Sequence, residues 1–134
     1  DHQHVHPVSA TLAIRLKGDD KLMLVTDAMA PAASDADHFM YQGIKVLRQG
    51  PTLKLADGTL AGSVLTMEEA IQHTRFDLDI ALESTLKMAT STPANFLGLS
   101  SSIGTLQTGS QANWIAVNDA LQVQRVWRNG VCMS

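Results

Sequence analysis

One segment constrains the fold of this 134-residue chain more than any other, an apolar run over residues 21–25 that leads into Thr26 and Asp27. The run, Lys-Leu-Met-Leu-Val, lacks the alternation of apolar and polar residues that marks a strand with one face in water. It therefore predicts a strand buried on both faces, as in a parallel sheet covered by helices. Asp27 is then expected at the carboxyl end of that strand.

The residues before this run predict a helix. Val8, Leu12 and Leu16 recur at helical spacing, and Lys17-Gly18 supplies a glycine stop. A crossover helix followed by a buried strand is typical of an α/β fold.

Two later stretches predict antiparallel β-structure. Residues 43–62 contain strand-like segments and the turn pair Asp57-Gly58, which favours a hairpin or bend. Residues 114–117 and 123–127 are also strand-like, and Asn129-Gly130 is a hairpin turn signal. These stretches lie on either side of a helical region.

In that helical region, Thr66 and Glu69 match a capping box at the start of a helix over about residues 67–75. A second helix is predicted over about residues 79–90, with its buried face set by apolar spacing. The residues that this second helix is expected to bury are Leu82, Leu86 and Ala89.

Composition excludes several function classes. The formal charge is −3 and basic residues do not cluster, so we expect neither nucleic acid nor an anionic membrane as a partner. No apolar run approaches the roughly 20 residues that cross a bilayer, which predicts a soluble protein. Cys132 is the single cysteine and fits a reducing cytoplasm. Both Cys132 and Ser63 are interpreted as structural, because neither lies in a nucleophile motif.

Two features have the residue types for chemistry, and each leaves alternatives open. On a strand, His2, His4 and His6 would share one face and could bind a metal, but a solvated terminal loop is also compatible with the residues. Asp27 could be an acid/base, a metal ligand or the N-cap of the next element. His38 and His73 are interpreted as surface residues.

The order of the motifs carries a resemblance. The segments are His4–Pro7, Leu24–Pro31, Asp57–Ser63 with the adjoining Leu65-Thr66-Met67, and a tail of Thr92-Pro93-Ala94, Gly98-Leu99, Ile103–Leu106, Gly109 and Ala112–Val117. The tail resembles the end of the metal-dependent amidohydrolase superfamily. Together the segments resemble, in order and spacing, the C-terminal third of the N-acetylglucosamine-6-phosphate deacetylase family.

The resemblance implies an α/β fold, the C-terminal part of a (β/α)8 metal-dependent hydrolase barrel plus part of a small β-sandwich domain. Such a barrel needs about 250 residues, so the chain is expected to be part of a larger parent and inactive alone. Residues 22–26 would be the eighth barrel strand. The implied divisions are 1–31 as the end of the barrel, 32–62 as a β-rich insertion with a substrate loop, 63–100 as helices packed on the barrel, and 101–134 as sandwich strands.

The resemblance also implies a reaction, the hydrolysis of the N-acetyl group of N-acetylglucosamine 6-phosphate. Asp27 matches the general base and acid, which takes a proton from metal-bound water and returns it to the leaving amine. His2 stands where the family usually has glycine. The residues that match the substrate-binding positions are Asp1, His2, Gln3, His4, Leu60, Ala61 and Gly62.

The family's metal, zinc or iron, is held by residues upstream of this chain. We therefore expect no tightly bound catalytic zinc or iron here, although the full-length parent would need one. The resemblance further implies an amino-sugar phosphate ligand, a homodimer and a cytoplasmic location. Two alternatives stay open: another amidohydrolase of the dihydroorotase or adenine deaminase type, and a non-catalytic scaffold.

Overall fold

The computed structural model, which describes residues 1–133, contains two antiparallel sheets and a set of short helices. The helices are α1 (Pro7–Lys17), α2 (Met67–Gln72), which continues into a π-helical turn (His73–Asp77), α3 (Leu82–Ala89) and α4 (Ser91–Phe96). The strands are β1 (His38–Tyr41), β2 (Ile44–Gln49), β3 (Thr52–Lys54), β4 (Leu60–Ser63), β5 (Trp114–Val117), β6 (Val123–Arg128) and β7 (Val131–Cys132). No helix within residues 1–133 has the length and apolar character needed to cross a membrane.

Helix α1 forms where the apolar spacing predicts it. Pro7 occupies the first turn, and the imidazole Nδ1 of His6 accepts a hydrogen bond from the Val8 amide at 3.2 Å. None of its residues is buried, and Leu12 and Leu16 are 56% and 76% exposed. The apolar residues of α1 are therefore exposed in the described chain.

The predicted strand over residues 22–26 is wrong for the chain as described. These residues join no ladder, and Val25 is 76% exposed rather than buried. The Leu24 amide donates to the Met88 carbonyl, the Ser63 hydroxyl donates to the Thr26 carbonyl, and a single parallel bridge joins Ala28 to Ser63. A strand needs a ladder of backbone hydrogen bonds to at least one neighbouring strand, and residues 21–28 make one bridge only.

The first sheet has the order β1-β2-β3-β4, with every neighbouring pair antiparallel. Its core is formed by Val46, Leu53 and Val64. Between β3 and β4, the Asp57 carboxylate accepts the Thr59 amide at 2.9 Å. The predicted antiparallel stretch and its turn are thus confirmed.

The second sheet has the order β5-β6-β7 and is also antiparallel. Trp114 and Trp127 are cross-strand partners whose rings stack 3.6 Å apart at an angle of 9°. Asn129 and Gly130, both at positive φ, make the predicted turn between β6 and β7.

The capping box is confirmed at both of its hydrogen bonds. The Glu69 amide donates to the Thr66 hydroxyl at 3.2 Å, and the Thr66 amide donates to the Glu69 carboxylate at 2.8 Å. The bond from the Thr66 amide favours the charged carboxylate and holds the pKa of Glu69 below its ordinary value. In α3 the predicted buried face is wrong, because Thr85 and Met88 are buried while Leu82 and Leu86 are exposed.

Candidate active site

Asp27 is an exposed residue whose backbone is held by hydrogen bonds to Ser63 in β4. It has φ +52°, a left-handed conformation that is uncommon for residues other than glycine. The Ser63 amide donates to the Asp27 carbonyl at 3.0 Å, and the Met29 amide donates to the Ser63 carbonyl at 3.0 Å. A turn rather than a helix comes after Asp27, so the N-cap alternative is wrong.

Ser63 anchors this turn. Its side chain is fully buried, its hydroxyl donates to the Thr26 carbonyl, and it accepts the Leu65 amide at 3.1 Å. Ser63 therefore connects both the residue before Asp27 and Asp27 itself to β4. The sequence alone indicated only a structural serine, and the one signal for this role was its place directly after the matched loop Leu60–Gly62.

Gly62 lies against the same turn. It has φ +127°, and a Cβ built there would come within 2.7 Å of the Met29 Sδ and 3.4 Å of the Asp27 carbonyl oxygen. Of the neighbouring predicted residues, Leu60 is 44% exposed and Ala61 is half-buried. The structure thus brings the end of the predicted substrate loop next to Asp27.

Residues 1–4 form a second small group of predicted site residues. The Asp1 carboxylate is 9% exposed and accepts the amides of Gln3 and His4 at 3.1 and 3.2 Å. Its other oxygen lies 2.5 Å from the His4 Nδ1. Asp1 therefore fixes the His4 ring, whereas Gln3 is an exposed turn residue.

The three histidines at the beginning of the chain do not share a face. Residues 1–6 form no strand, so the predicted alternation does not apply. His4 pairs with Asp1, His6 caps α1, and His2 contacts Asp77 at 3.0 Å. A metal site built from these three side chains is excluded.

A divalent metal at Asp27 has no ligand set among residues 1–133. The one group of three metal-ligating side chains in this part of the chain is His2, His73 and Asp77, and Asp27 is not a member. The catalytic metal that the resemblance implies therefore does not fit the residues around Asp27.

A cleft of about 230 Å³ lies beside the first residue and not at Asp27. Of the residues that line this cleft, Asp1 alone is a predicted site residue. The charged or titratable residues beside it in the lining are Arg48, Glu69 and His73. The Arg48 guanidinium donates through Nε to the Gly50 carbonyl at 3.2 Å and is also bonded to the Ser34 carbonyl. Two of its three nitrogens are thus engaged by the protein, and we assign no ligand to this cleft.

The anchoring role of Ser63 gives a first prediction. Ser63→Ala should lower the free energy of unfolding of the complete protein by about 1–3 kcal/mol, because the part-buried Thr26 carbonyl and the buried Leu65 amide lose their partner. By the complete protein we mean the full-length polypeptide that contains this chain. Urea titration measures the loss, with Ser102→Ala at a less buried serine as control. Equal stability of the two variants would contradict the anchoring role.

Comparison with known proteins identifies the family. Residues 4–133 match the model of the amidohydrolase family. The chain is 45% identical over 130 residues to an N-acetylgalactosamine-6-phosphate deacetylase of Shewanella sp. (strain ANA-3), covering 97% of this chain and 33% of that protein. It is 30% identical to a putative N-acetylgalactosamine-6-phosphate deacetylase of Escherichia coli K12, covering 97% of this chain and 77% of that protein.

A solved structure of a similar deacetylase supports the same relationship. The crystal structure of N-acetylglucosamine-6-phosphate deacetylase from Pasteurella multocida matches with a TM-score of 0.95 and 32% identity, over all of this chain and 35% of that one. The resemblance and the α/β fold class inferred from the sequence are thus confirmed. The chain spans about a third of the length of the Shewanella and Pasteurella proteins. It belongs to the amidohydrolase family.

Proposed function

We propose that this chain is the carboxyl-terminal part of a deacetylase that hydrolyses the N-acetyl group of an amino-sugar 6-phosphate, with Asp27 as the general base and acid. The observation that carries this proposal is the exposed Asp27, whose backbone carbonyl accepts the Ser63 amide beside the loop that ends at Gly62. The names of the similar deacetylases support the reaction class.

Asp27 performs two proton transfers in this reaction. It first takes a proton from the water that attacks the acetyl carbonyl. It then gives that proton to the amine nitrogen as the C–N bond breaks, because an unprotonated amine is a poor leaving group. The products are acetate and the free amino-sugar phosphate.

The family is generally metal-dependent, and the ion, zinc or iron, supplies charge that makes attack on an amide feasible near neutral pH. Since the described residues around Asp27 offer no ligand set, we assign this metal to ligands outside the chain. For the same reason we propose that the chain by itself has no deacetylase activity.

Two groups of residues are proposed to bind the substrate. His4, oriented by Asp1, would contact the sugar phosphate, and the turn that holds His4 would surround it. The second group lies next to Asp27 on the loop to β4. The residues proposed to bind substrate are Asp1, His2, Gln3, His4, Leu60, Ala61 and Gly62.

The exposed apolar surface supports the proposed place of this chain in a larger barrel. Leu12, Leu16 and Val25 are 56–76% exposed, and all lie within residues 1–31. We propose that the rest of the barrel covers them, and that the remaining divisions are the insertion 32–62, the helices 63–100 and the sandwich strands 101–134. We also propose a cytoplasmic homodimer, as the resemblance implies.

Two sugars are candidate substrates, and they differ only in the configuration at one carbon. The resemblance of the motifs favours N-acetylglucosamine 6-phosphate, whereas the names of the Shewanella and E. coli relatives favour N-acetylgalactosamine 6-phosphate. The complete protein should release acetate from at least one of them. The preferred sugar is then the one with the higher kcat/KM.

Acetate release from both sugar phosphates is measured beside turnover of dihydroorotate and adenine. Turnover of either of these two would favour the other amidohydrolase classes. Absence of turnover with every compound, in protein loaded with zinc or iron, would favour a non-catalytic scaffold.

A further inference from the structure

Three side chains, one of them distant in the sequence from the other two, converge on one point of the surface. The His2 Nε2 lies 3.0 Å from the Asp77 Oδ2, and the His73 Nδ1 lies 2.5 Å from the same oxygen. The candidate ligand atoms of the three residues all lie within 4.8 Å of one another. The rings of His2 and His73 meet edge to face at 4.7 Å. One carboxylate oxygen thus lies between two imidazole nitrogens.

We propose that His2, His73 and Asp77 bind a divalent transition-metal ion such as Zn²⁺. Two imidazole nitrogens and one carboxylate oxygen are a ligand set that proteins use for zinc and for iron. In the described geometry the protons of the two rings join these atoms to the carboxylate, and a cation would take the place of those protons. The ligand atoms would then move apart slightly to reach metal distances of about 2.0–2.2 Å.

The surroundings leave room for the remaining coordination positions. The side chains of His2, His73 and Asp77 are 26%, 39% and 48% exposed. Water can therefore complete the coordination of a bound ion, as it does in sites with three protein ligands. Arg75 is directed elsewhere, to Asp79 and the Ile80 carbonyl, and does not place its charge in the group.

The backbone that carries these three residues has two uncommon conformations, of kinds that occur often at functional sites. His73 and Asp77 are the first and last residues of the π-helical turn, and such turns occur frequently at functional sites. His2 has φ +57°, a left-handed conformation that a residue with a Cβ adopts at an energetic cost. That cost is tolerated where the surrounding structure holds the residue in place, and here its ring is held by Asp77.

This group lies outside the ligand set that the resemblance implies, whose members are upstream of the chain. The sequence indicates only a surface histidine at position 73, and no motif includes Asp77. A metal at this group would connect the turn of residues 1–4 to the π-helical turn, so the site borders the residues around His4 that are proposed to bind substrate. The inference itself does not depend on the proposed function.

Metal content of the complete protein tests the inference. The protein is stripped with a chelator, reloaded with Zn²⁺ or Co²⁺ and freed of excess ion, and the metal per chain is measured by atomic emission. His2→Gly and His73→Asn should each bind one equivalent less than the unchanged protein, with loss of the corresponding Co²⁺ visible absorption. His38→Asn is the matched control, because His38 is an exposed histidine paired with Asp37 and should leave metal content unchanged.

His2→Gly keeps the test decisive if His73→Asn does not fold. Glycine adopts φ +57° without strain, so this variant removes a ligand and relieves the backbone at once. If His2→Gly and His38→Asn both retain the full metal content, the three side chains form a hydrogen-bonded group without an ion and the proposal is overturned.

Discussion

Replacing Asp27 with asparagine in the complete protein should lower kcat/KM for deacetylation by about 10²–10⁴-fold, the usual contribution of a positioned acid/base. Asparagine has nearly the shape of aspartate but cannot accept a proton from water and return it to the amine. Because the backbone around Asp27 is held through Ser63, the amide should occupy the position of the carboxylate. Acetate release from the preferred sugar phosphate measures the effect.

The choice of asparagine separates chemistry from folding. Asparagine tolerates left-handed backbone better than most residues, so φ +52° at this position adds little strain in the variant. Asp79 provides a matched control, since it has φ +51° and its side chain is 97% exposed. Asp79→Asn should leave kcat/KM unchanged. If Asp27→Asn stays within a few-fold of the unchanged protein, Asp27 is a structural residue and the scaffold alternative gains support.

Several elements could be predicted from the sequence because their signals are local. The capping box at Thr66 and Glu69 and the turn at Asp57 are decided by residues within one turn of each other. The same holds for α1, whose cap at His6 and stop at Gly18 frame its apolar residues. Local hydrogen bonds determine these elements, so the structure agrees with the pattern.

The errors have non-local causes. Whether residues 22–26 form a strand depends on neighbouring strands that the chain itself does not supply, and their apolar character says nothing about pairing. The buried face of α3 is set by the residues that lie against it, and Leu24 bonds to the carbonyl of the buried Met88. Apolar spacing alone favoured Leu82 and Leu86 because it ignores a buried threonine such as Thr85.

The candidate site also combines residues that the sequence could indicate with contacts that only the fold reveals. Asp27 and Gly62 were assigned by resemblance, and their proximity across 35 positions of sequence emerged only from the fold. Ser63 was missed as an anchor because a single serine has no pattern of its own. The group of His2, His73 and Asp77 joins residues up to 75 positions apart, which no local spacing can indicate.

The largest loss of stability is expected from Gly104→Ala. Gly104 has φ +92°, and a Cβ there would lie 2.6 Å from the Ala94 Cβ and 3.1 Å from the Ser91 Cα and the Thr90 carbonyl oxygen. Left-handed strain costs about 1–2 kcal/mol and overpacking about 1–3 kcal/mol. The free energy of unfolding of the complete protein should therefore fall by about 2–5 kcal/mol, as measured by urea titration.

Gly98→Ala isolates the backbone-strain part of this effect, and the difference between the two variants is the packing part. Gly98 has φ +71°, but no atom lies within 4 Å of the position that a Cβ would take, so only the strain of about 1–2 kcal/mol should remain. Equal losses in the two variants would show that the contacts with α4 add no energetic cost to the methyl group at Gly104. In that case the packing explanation is wrong, and the backbone conformation alone explains why glycine occupies both positions.

The substitution at Gly104 should also affect the candidate site, because α4 is bonded to the stretch that leads to Asp27. The Thr92 hydroxyl in α4 donates to the Asp19 carbonyl at 2.6 Å, and Asp19 begins the stretch that leads to Asp27. A shift of α4 away from an added methyl group would pull on this bond. We therefore expect Gly104→Ala to lower kcat/KM as well as stability, and Gly98→Ala to leave kcat/KM unchanged. Unchanged activity in both variants would mean that the Thr92 bond does not position Asp27.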